Sequence, residues 1–238
     1  MNPRVSIVIP FYNDPYIGQA IESALSQTYD NIEIIVVDDG STSYQHLIAP
    51  YGHRINYIGK ANGGTASALN HGIQIASGKY VAWLSSDDRF YPDKVARQVH
   101  LMESIGAQAS FTDYDVINEH GAVTQHRAGP KYPTFKAFVQ TLRNSCPVNG
   151  CTVMMTKQLV EAIGYFNPGL PYTHDYDMWI RLILCRIDFH YLNEPLTAYR
   201  RHSNMGTVRH IERIVQEATS VSSAYGFLMD TLIAQLPD

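Results

Sequence analysis

Cysteine is scarce in this 238-residue sequence, which contains only Cys146, Cys151 and Cys185. An odd number of cysteines without metal-ligand spacing argues against a complete disulfide framework and against a cysteine-based zinc site. We therefore expect reduced thiols, which are typical of a cytoplasmic protein.

Runs of like charge and long apolar segments are also missing. The 18 Lys and Arg residues against 22 Asp and Glu give a formal net charge of −4, and no basic run provides an electrostatic basis for binding nucleic acid. No window approaches the roughly 18 or more apolar residues of a transmembrane helix. The apolar run Val5–Pro10 is too short for a signal peptide and is typical of a first strand.

Neither of the common glycine-rich nucleotide fingerprints is present. Gly-x-Gly-x-x-Gly does not follow the first predicted strand, Val5–Ile9, which weighs against a nicotinamide-dependent oxidoreductase. Asn62-Gly63-Gly64-Thr65 precedes a predicted helix, where free backbone N–H groups can meet phosphate. It lacks the glycine spacing and the Lys-Ser/Thr pair of a P-loop, so alone it is a weak indication of a phosphate site.

The first ninety residues alternate short apolar runs with segments of helical spacing. Strands are predicted at Val5–Ile9, Ile32–Val37, Ile55–Ile58 and Tyr80–Leu84. Helices are predicted between them at Ile17–Gln27, Tyr44–Tyr51 and Thr65–Ala76. This alternation is typical of βαβ units, and it predicts an α/β, Rossmann-like fold with a mostly parallel sheet covered by helices on both faces.

The remaining pattern predicts a second part of the same fold and a helical tail. Pro92–Ile105 is a predicted helix with Pro in its first turn and Gly106 beyond its end, and residues 109–127 are a predicted strand and hairpin. Further predicted elements are a helix at Phe135–Leu142, a strand at Cys151–Met155, a helix at Tyr176–Cys185, strands at Phe189–Leu192 and Leu196–Tyr199, and a helix at Val208–Leu236. We divide the chain into residues 1–115, 116–207 and 208–238, with no linker between them.

Polar turns follow three of the predicted parallel strands, and ligands bind at that edge of such sheets. Asp38-Asp39-Gly40-Ser41 suits a plain strand-ending turn, but a carboxylate there could also accept a hydrogen bond from a nucleobase N–H. Tyr12, after the first strand, could supply a stacking face. Ser85-Ser86-Asp87-Asp88 ends the fourth strand, where adjacent carboxylates repel each other unless a cation or donors compensate them. Either a capping turn or a Mg²⁺ or Mn²⁺ site fits that segment.

Two further polar clusters lie in the second part of the chain. Asp175 and Asp177 stand at the start of a predicted helix, where Asp is most often an N-cap. Two carboxylates so close favour a division in which one serves the helix and the other faces a cleft. Tyr199-Arg200-Arg201-His202-Ser203-Asn204 is either a solvated loop or a basic segment that closes over a diphosphate.

Together these motifs resemble family-2 glycosyltransferases with the GT-A fold. The resemblance extends from Val5 to about Asn204 and rests on Val5–Asn13, Val37–Ser41, Asn62–Gly64, Trp83–Asp88, His174–Trp179 and Tyr199–His202. It implies inverting transfer of a sugar from a nucleotide-sugar, with residues 1–115 as the donor-binding half, 116–207 as a smaller acceptor half, and a C-terminal helix. It implies Asp175 as the general base. The implied donor contacts are Pro10, Phe11, Tyr12, Asp39, Asn62, Ser85, Ser86 and Arg200.

The sequence departs from the family pattern at the metal motif. The Asp-x-Asp motif is Ser85-Ser86-Asp87 here, so its first carboxylate has become a hydroxyl. The predicted metal ligands are therefore Asp87, Asp88 and His202, for Mn²⁺ or Mg²⁺. The acidic residue that often precedes the base is His174, and the Arg that often precedes Asn70 is Leu69.

The resemblance also implies partners and a setting. We expect a UDP- or dTDP-sugar donor and a saccharide or lipid-linked saccharide acceptor, by family analogy in envelope or extracellular polysaccharide synthesis. The expected location is the cytoplasm, with association at the inner face of the membrane through the acceptor. A catalytically silent nucleotide-sugar-binding protein of the same fold is the alternative, and the carboxylate lost at Ser85 favours it.

Overall fold

Four parallel strands form one half of a mixed sheet in the computed structural model, which describes residues 2–237. These strands, each an apolar run of the predicted alternation, are β1 (Val5–Phe11), β2 (Ile32–Asp38), β3 (Asn56–Gly59) and β4 (Tyr80–Trp83). The helices between them are α1 (Ile17–Leu25) and α2 (Thr65–Ile75). The predicted βαβ organisation of the first half is therefore confirmed.

The rest of the chain extends this sheet and covers it. The strands are β5 (Arg89–Phe90), β6 (Ala109–Ile117), β7 (Val123–Gln125), β8 (Met154–Thr156) and β9 (Phe189–Arg200). The helices are α3 (Lys94–Ile105), α4 (Phe135–Leu142), α5 (Lys157–Ile163), α6 (His174–Leu184), α7 (Gly206–Arg209) and α8 (Ile211–Gln235). The strand order is β3-β2-β1-β4-β8-β6-β9-β5, with β7 paired to β6.

Most strands of this sheet point the same way. β8 is antiparallel to both β4 and β6, so β6 runs in the direction of β1–β4, and β9 is parallel to β6. The short strands β5 and β7 are antiparallel to their neighbours. The mostly parallel sheet is confirmed, and the boundary predicted between residues 115 and 116 falls inside β6, so both halves share one sheet.

Alternate side chains of the sheet pack into two separate cores. Ile7 and Ile9 of β1 pack with α1 and α3, whereas Val8 lies in the core formed with α2, α4, α6 and α8. Helix α2 lies close to the sheet because Gly72 has no side chain; a Cβ there would lie 2.4 Å from Cγ1 of Val8. Helices on both faces hold the strand ends, and the polar turns that follow them, in fixed positions.

Several predicted elements differ from the observed ones. The predicted helix Tyr44–Tyr51 is two short 3₁₀ turns, because Tyr44 has a positive φ of 68° and Pro50 cannot donate a backbone hydrogen bond. The predicted strand Cys151–Met155 begins as a 3₁₀ turn at Gly150–Thr152. The two strands predicted within 189–199 are one strand, β9, with register shifts opposite Thr112–Tyr114. α5 and β5 are too short to give a periodic signal.

The predicted C-terminal helix is confirmed as α8, which packs against α6 and α4. Tyr225 Oη donates to Oδ1 of Asp177 at 2.9 Å, and Arg143 on the α4 side pairs with Asp230 at 2.9 Å. Although α8 has 25 residues, no helix within residues 2–237 has the apolar length needed to cross a bilayer.

Candidate functional site

A cleft opens at the carboxyl ends of β1, β2 and β4 and is closed on its far side by the start of α6 and the segment after β9. Eleven of the twelve predicted site residues line it. They are Pro10, Phe11, Tyr12, Asp39, Asn62, Ser85, Ser86, Asp87, Asp88, Asp175 and His202. The expectation that ligands bind at the carboxyl ends of the parallel strands therefore located the cleft correctly. The second half of the chain forms the opposite wall of this cleft.

The Asp39 carboxylate anchors the loop at residues 60–64. It pairs with Lys60 Nζ at 2.6 Å and accepts the backbone N–H groups of Gly63 and Gly64, the latter at 2.7 Å. Asn62 Nδ2 donates to the Asp39 carbonyl at 2.9 Å. The expectation of free N–H groups before α2 is therefore wrong, because two of them are used by Asp39.

Tyr12 and Phe11 point in different directions from the end of β1. Tyr12 is 56% exposed and presents its ring to the cleft, as a stacking platform requires. Phe11 is 1% exposed, and its side chain lies in the core with α1 and α3. Its carbonyl accepts the Asp39 N–H at 2.9 Å, so Phe11 supports the site through its backbone.

Ser85, which replaces the first carboxylate of the metal motif, is paired with a thiol. Its backbone N–H donates to Cys151 Sγ at 3.2 Å, and the Cys151 thiol donates to Ser85 Oγ at 3.0 Å. Burial raises the pKa of Cys151 well above its usual range, and the charge of Asp88 adds to the effect, so this thiol stays neutral. The pair therefore contributes no negative charge to the cleft.

Asp87 and His202 are in direct contact in the lining of the cleft. His202 Nε2 lies 3.2 Å from Asp87 Oδ2, and this hydrogen bond raises the pKa of His202. Asp14, at the end of the loop after β1, lies beside them and bonds to Ser86 Oγ at 2.8 Å. Burial, and then the charge of Asp87, raise the pKa of Asp14. Two carboxylates and one imidazole thus share this end of the cleft.

Asp88 and Arg200 form a buried support beneath the cleft. The Asp88 carboxylate is 1% exposed and accepts the backbone N–H of Arg200 at 2.7 Å. Burial, then the charge of Asp87, raise the pKa of Asp88 well above its usual range. The Arg200 guanidinium is fully buried and donates to Oε1 of Gln19 and to the backbone carbonyls of Asp87, Asn118 and Glu119.

The prediction that Arg200 contacts a donor is therefore wrong. Its guanidinium is used by the chain itself, and it does not line the cleft. Arg201, the residue directly after the end of β9, is exposed and does line it. Arg200 is the last residue of β9 and its side chain is buried, whereas Arg201 follows the strand and its side chain is exposed.

Asp175 faces the cleft from the first turn of α6. Its Oδ1 accepts the N–H of the adjacent Tyr176 at 2.8 Å, and burial raises its pKa. Thr173 occupies the N-cap position without a side-chain capping bond, so Asp175 is not the cap. A carboxylate with a raised pKa and one backbone donor is a better base than a fully capped one.

His174 lies between Trp83 and Phe166, with ring centroids 5.5 Å and 5.7 Å away. It is 5% exposed, neither ring nitrogen has a hydrogen-bond partner, and burial lowers its pKa. His174 is therefore neutral near pH 7. It does not replace the negative charge of the acidic residue that often precedes the base in the family.

The donor atoms at Asp87 and His202 fit a divalent cation that takes its remaining ligands from phosphate and water. Carboxylate oxygen and imidazole nitrogen are both donors for Mn²⁺, and such sites often use only one or two protein carboxylates. Within residues 2–237 no three His, Cys, Asp or Glu side chains are grouped closely enough to hold a metal by themselves.

Sequence reasoning missed Asp14 and Cys146, which line the cleft, and did not separate Arg201 from its neighbour Arg200. Asp14 follows Tyr12-Asn13 directly and carried a signal, because it lies in the polar turn after β1. Arg201 was seen only as part of a basic segment. Cys146 lies in the loop before the 3₁₀ turn at Gly150–Thr152, where no periodic pattern indicates proximity to Asp175.

The sequence matches the model of Glycosyl transferase family 2 over residues 6–164. An uncharacterized glycosyltransferase of Rickettsia felis is 38% identical over 215 residues, which cover 86% of this chain and 35% of the relative. One of Rickettsia typhi is 40% identical over 189 residues, covering 76% of this chain and 59% of the relative. This chain therefore spans about a third to three fifths of these relatives' length.

A relative of similar length carries a specific name. The Escherichia coli UDP-Glc:alpha-D-GlcNAc-diphosphoundecaprenol beta-1,3-glucosyltransferase WfaP is 30% identical over 226 residues, covering 92% of this chain and 86% of its own.

Among solved structures, Staphylococcus aureus TarS is similar with a TM-score of 0.71 at 16% identity, over 93% of this chain and 39% of TarS. TarS 1-349 in complex with UDP-GlcNAc gives a TM-score of 0.72 at 16% identity, over 92% of this chain and 65% of that one. The sheet, the helices on both faces and this likeness identify the fold as GT-A. On the family match, the relatives and the cleft motifs together, the chain belongs to glycosyl transferase family 2.

Proposed function

We propose that this chain transfers a sugar from UDP- or dTDP-sugar to an acceptor hydroxyl, with inversion at the anomeric carbon. The observation that carries the proposal is the position of Asp175 on the wall opposite the strand-end turns, in the same cleft as Asp87 and His202. Inversion requires the attacking hydroxyl and its base to approach the face of the sugar opposite the leaving diphosphate. A base at the start of α6, and a diphosphate site between the strand-end turns and the segment after β9, are compatible with that requirement.

The donor would bind along the wall formed by β1, β2 and β4. Tyr12 offers an exposed aromatic face for the nucleobase. Asp39 would accept a base N–H once Lys60 exchanges its contact, or would act through the 60–64 loop that it anchors. Ser86 and Arg201 are the remaining polar groups for ribose and diphosphate.

Asp87 and His202 would hold Mn²⁺ or Mg²⁺ beside the diphosphate. When bound, the cation supplies positive charge that offsets the charge of the leaving nucleoside diphosphate. Arg201 adds a permanent positive charge at the same end of the cleft. Asp88 and Arg200 support this end from beneath, since Arg200 fixes the Asp87 carbonyl at 2.7 Å.

Asp175 would take the proton of the acceptor hydroxyl. Burial raises its pKa, which increases the basicity of the ionised carboxylate. The wall around it includes Cys146, Tyr172 and the side of α8 at Ser222. We assign this end of the cleft to the acceptor.

The acceptor we propose is a lipid-linked saccharide in envelope polysaccharide synthesis. WfaP, by its name, acts on a diphosphoundecaprenol-linked sugar, and TuaG of Bacillus subtilis, 30% identical over 211 residues, is named as a putative teichuronic acid biosynthesis glycosyltransferase. Such an acceptor would bring the protein to the inner face of the membrane from the cytoplasm.

A thermal-shift screen of nucleoside diphosphates, with Mn²⁺ or with chelator, tests donor recognition. Binding to the folded state raises the melting temperature by mass action, so UDP or dTDP with Mn²⁺ should give the largest rise. Equal shifts for all bases would contradict the nucleobase contacts. A silent nucleotide-sugar-binding protein, favoured by the missing charge at Ser85, would give the same shifts without any nucleotide release from UDP-sugars in the presence of acceptor.

A further inference from the structure

The Asp175 carboxylate has a side-chain neighbour that the proposed reaction does not use. Oδ1 accepts the Tyr176 N–H at 2.8 Å, while Oδ2 lies 3.8 Å from Sγ of Cys146, within reach of an S–H hydrogen bond. Cys146 belongs to the loop between α4 and β8, and both residues line the cleft. We propose that Cys146 is a positioning residue whose thiol donates a hydrogen bond to Asp175 and holds the carboxylate toward the acceptor.

The thiol is suited to this task because it keeps its proton. Cys146 is exposed at the surface of the cleft, yet the surrounding walls desolvate its sulfur, and this desolvation and then the charge of Asp175 raise the pKa of Cys146 well above its usual range. The Val148 carbonyl, 3.5 Å from Sγ, is a second acceptor for the single S–H hydrogen, which the two acceptors share. A hydrogen bond to an ionised carboxylate is the stronger type. Cys146 therefore links the loop of one wall to the base on the helix.

The groups that act on Asp175 come from two elements. His174, on the same helix, is buried and neutral near pH 7, and its own surroundings include Glu217 of α8. Cys146 comes from the loop between α4 and β8 and stabilises the ionised carboxylate, while burial opposes ionisation. The rise in the pKa of Asp175 is opposed first by the charge that His174 carries when protonated, then by the backbone N–H groups of Tyr176 and Asp175, and last by the Cys146 thiol, the side-chain hydrogen-bond donor of this set.

The contact rests on the geometry, and only its effect on turnover rests on the proposed function. If Asp175 is the base, loss of the donor raises the pKa of Asp175, so transfer begins to fall at a higher pH. Loss of the positioning contact also lowers kcat more than it changes the KM for the donor, because the donor site lies on the other wall. Cys146→Ser keeps a donor, whereas Cys146→Ala removes it.

The first test is an NMR titration of protein labelled with ¹³C at the aspartate carboxyls, with Asp175→Asn used to assign the signal. We expect the pKa of Asp175 to rise in Cys146→Ala and to return toward the wild-type value in Cys146→Ser. The melting temperatures of the variants are compared, because Cys146 is exposed and its replacement should leave the fold intact. An unchanged titration in Cys146→Ala overturns the proposal.

The second test measures the same contact through the reactivity of the Cys146 thiol. The rate of iodoacetamide modification at pH 8, followed by mass spectrometry, reports the thiolate fraction of each cysteine. In Asp175→Asn the negative charge is gone, so Cys146 should react about three- to tenfold faster. Cys185, which is exposed at the end of α6, is the internal control and should not change. Equal rates at Cys146 in both proteins contradict the contact.

A failure of the proposed Cys146 contact can be told apart from a failure of the proposed role of Asp175 as the base. If both chemical tests succeed but Asp175→Asn transfers normally, the Cys146 contact stands and the proposed base is wrong. If both chemical tests fail while Asp175→Asn abolishes transfer, the base stands and Cys146 has no positioning role.

Discussion

Asp175 and Asp177 lie two residues apart at the start of α6, yet their carboxylates have opposite surroundings. Asp177 is 4% exposed, accepts Nε of Arg181 at 2.8 Å, and accepts the hydroxyl of Tyr225 on α8 at 2.9 Å. Asp175 opens on the cleft with one backbone donor. One carboxylate holds the helix to its neighbour, and the other remains available for chemistry.

Asp177→Asn should therefore cost stability and leave chemistry intact. The amide keeps the shape of the side chain but loses the ion pair with Arg181. The Arg181 guanidinium is then left without its carboxylate partner. We expect a loss of about 1–3 kcal/mol in the free energy of unfolding, measured by urea denaturation. Asp175→Asn is the matched control and should change that free energy by less than about 0.5 kcal/mol. Equal losses in both variants would contradict the division between the two residues.

Arg200, which ends β9, and Arg201, which follows it, should also have different roles. Arg200→Ala leaves four acceptors without their donor and the Asp88 carboxylate without its nearest positive charge, so it should destabilise the protein by about 3–5 kcal/mol. Arg201→Ala removes an exposed side chain and should keep the stability but weaken UDP binding. If Arg200→Ala does not fold, Arg200→Lys should fold with a lower melting temperature. Normal UDP affinity in Arg201→Ala would remove Arg201 from the donor site.

The effect of the cation on UDP binding should depend on Asp87. The rise in melting temperature caused by UDP should be larger with Mn²⁺ than with chelator, and Asp87→Ala should abolish most of that difference. Asp93→Ala removes a carboxylate outside the cleft, six residues on, and should leave the difference unchanged. A full metal-dependent shift in Asp87→Ala would show that Asp87 is not a ligand.

The pH dependence of transfer should follow Asp175. Only the ionised carboxylate can accept a proton, and burial raises its pKa above the ordinary value of 3.8. Transfer should therefore fall as the pH drops through this raised pKa, at a higher pH than an exposed Asp would give. The measurement is kcat against pH at saturating donor, and a rate that stays constant down to pH 4 would contradict it.

The position of the cleft could be predicted because the parallel strands carry a strong pattern. Val5–Ile9 and Ile32–Val37 are continuous apolar runs, and the polar residues after them must lie at one edge of the sheet. That placement brought Asp39 and Asp87 to the cleft, whereas the role of Asp175 came from the resemblance to family-2 glycosyltransferases and stays a prediction. The predicted helix boundaries near Thr65 and Phe135 also agree with the structure.

The side on which adjacent residues point could not be predicted. Arg200 and Arg201 have the same chemistry, and only the packing of β9 on β6 and β5 decides which one is buried. Phe11 and Tyr12 differ in the same way. Contacts such as Lys60 with Asp39, or Cys146 with Asp175, join residues far apart in the chain and depend on loop conformations that no periodicity encodes.

The central claim is that Asp175 is the general base, and transfer by Asp175→Asn tests it most directly. The amide preserves the shape and cannot take a proton. With UDP affinity and melting temperature unchanged, the transfer rate should fall by about 10²–10⁴-fold, a loss of roughly 3–5 kcal/mol of transition-state stabilisation. A near-normal transfer rate with intact donor binding would contradict the account and remove Asp175 from the reaction.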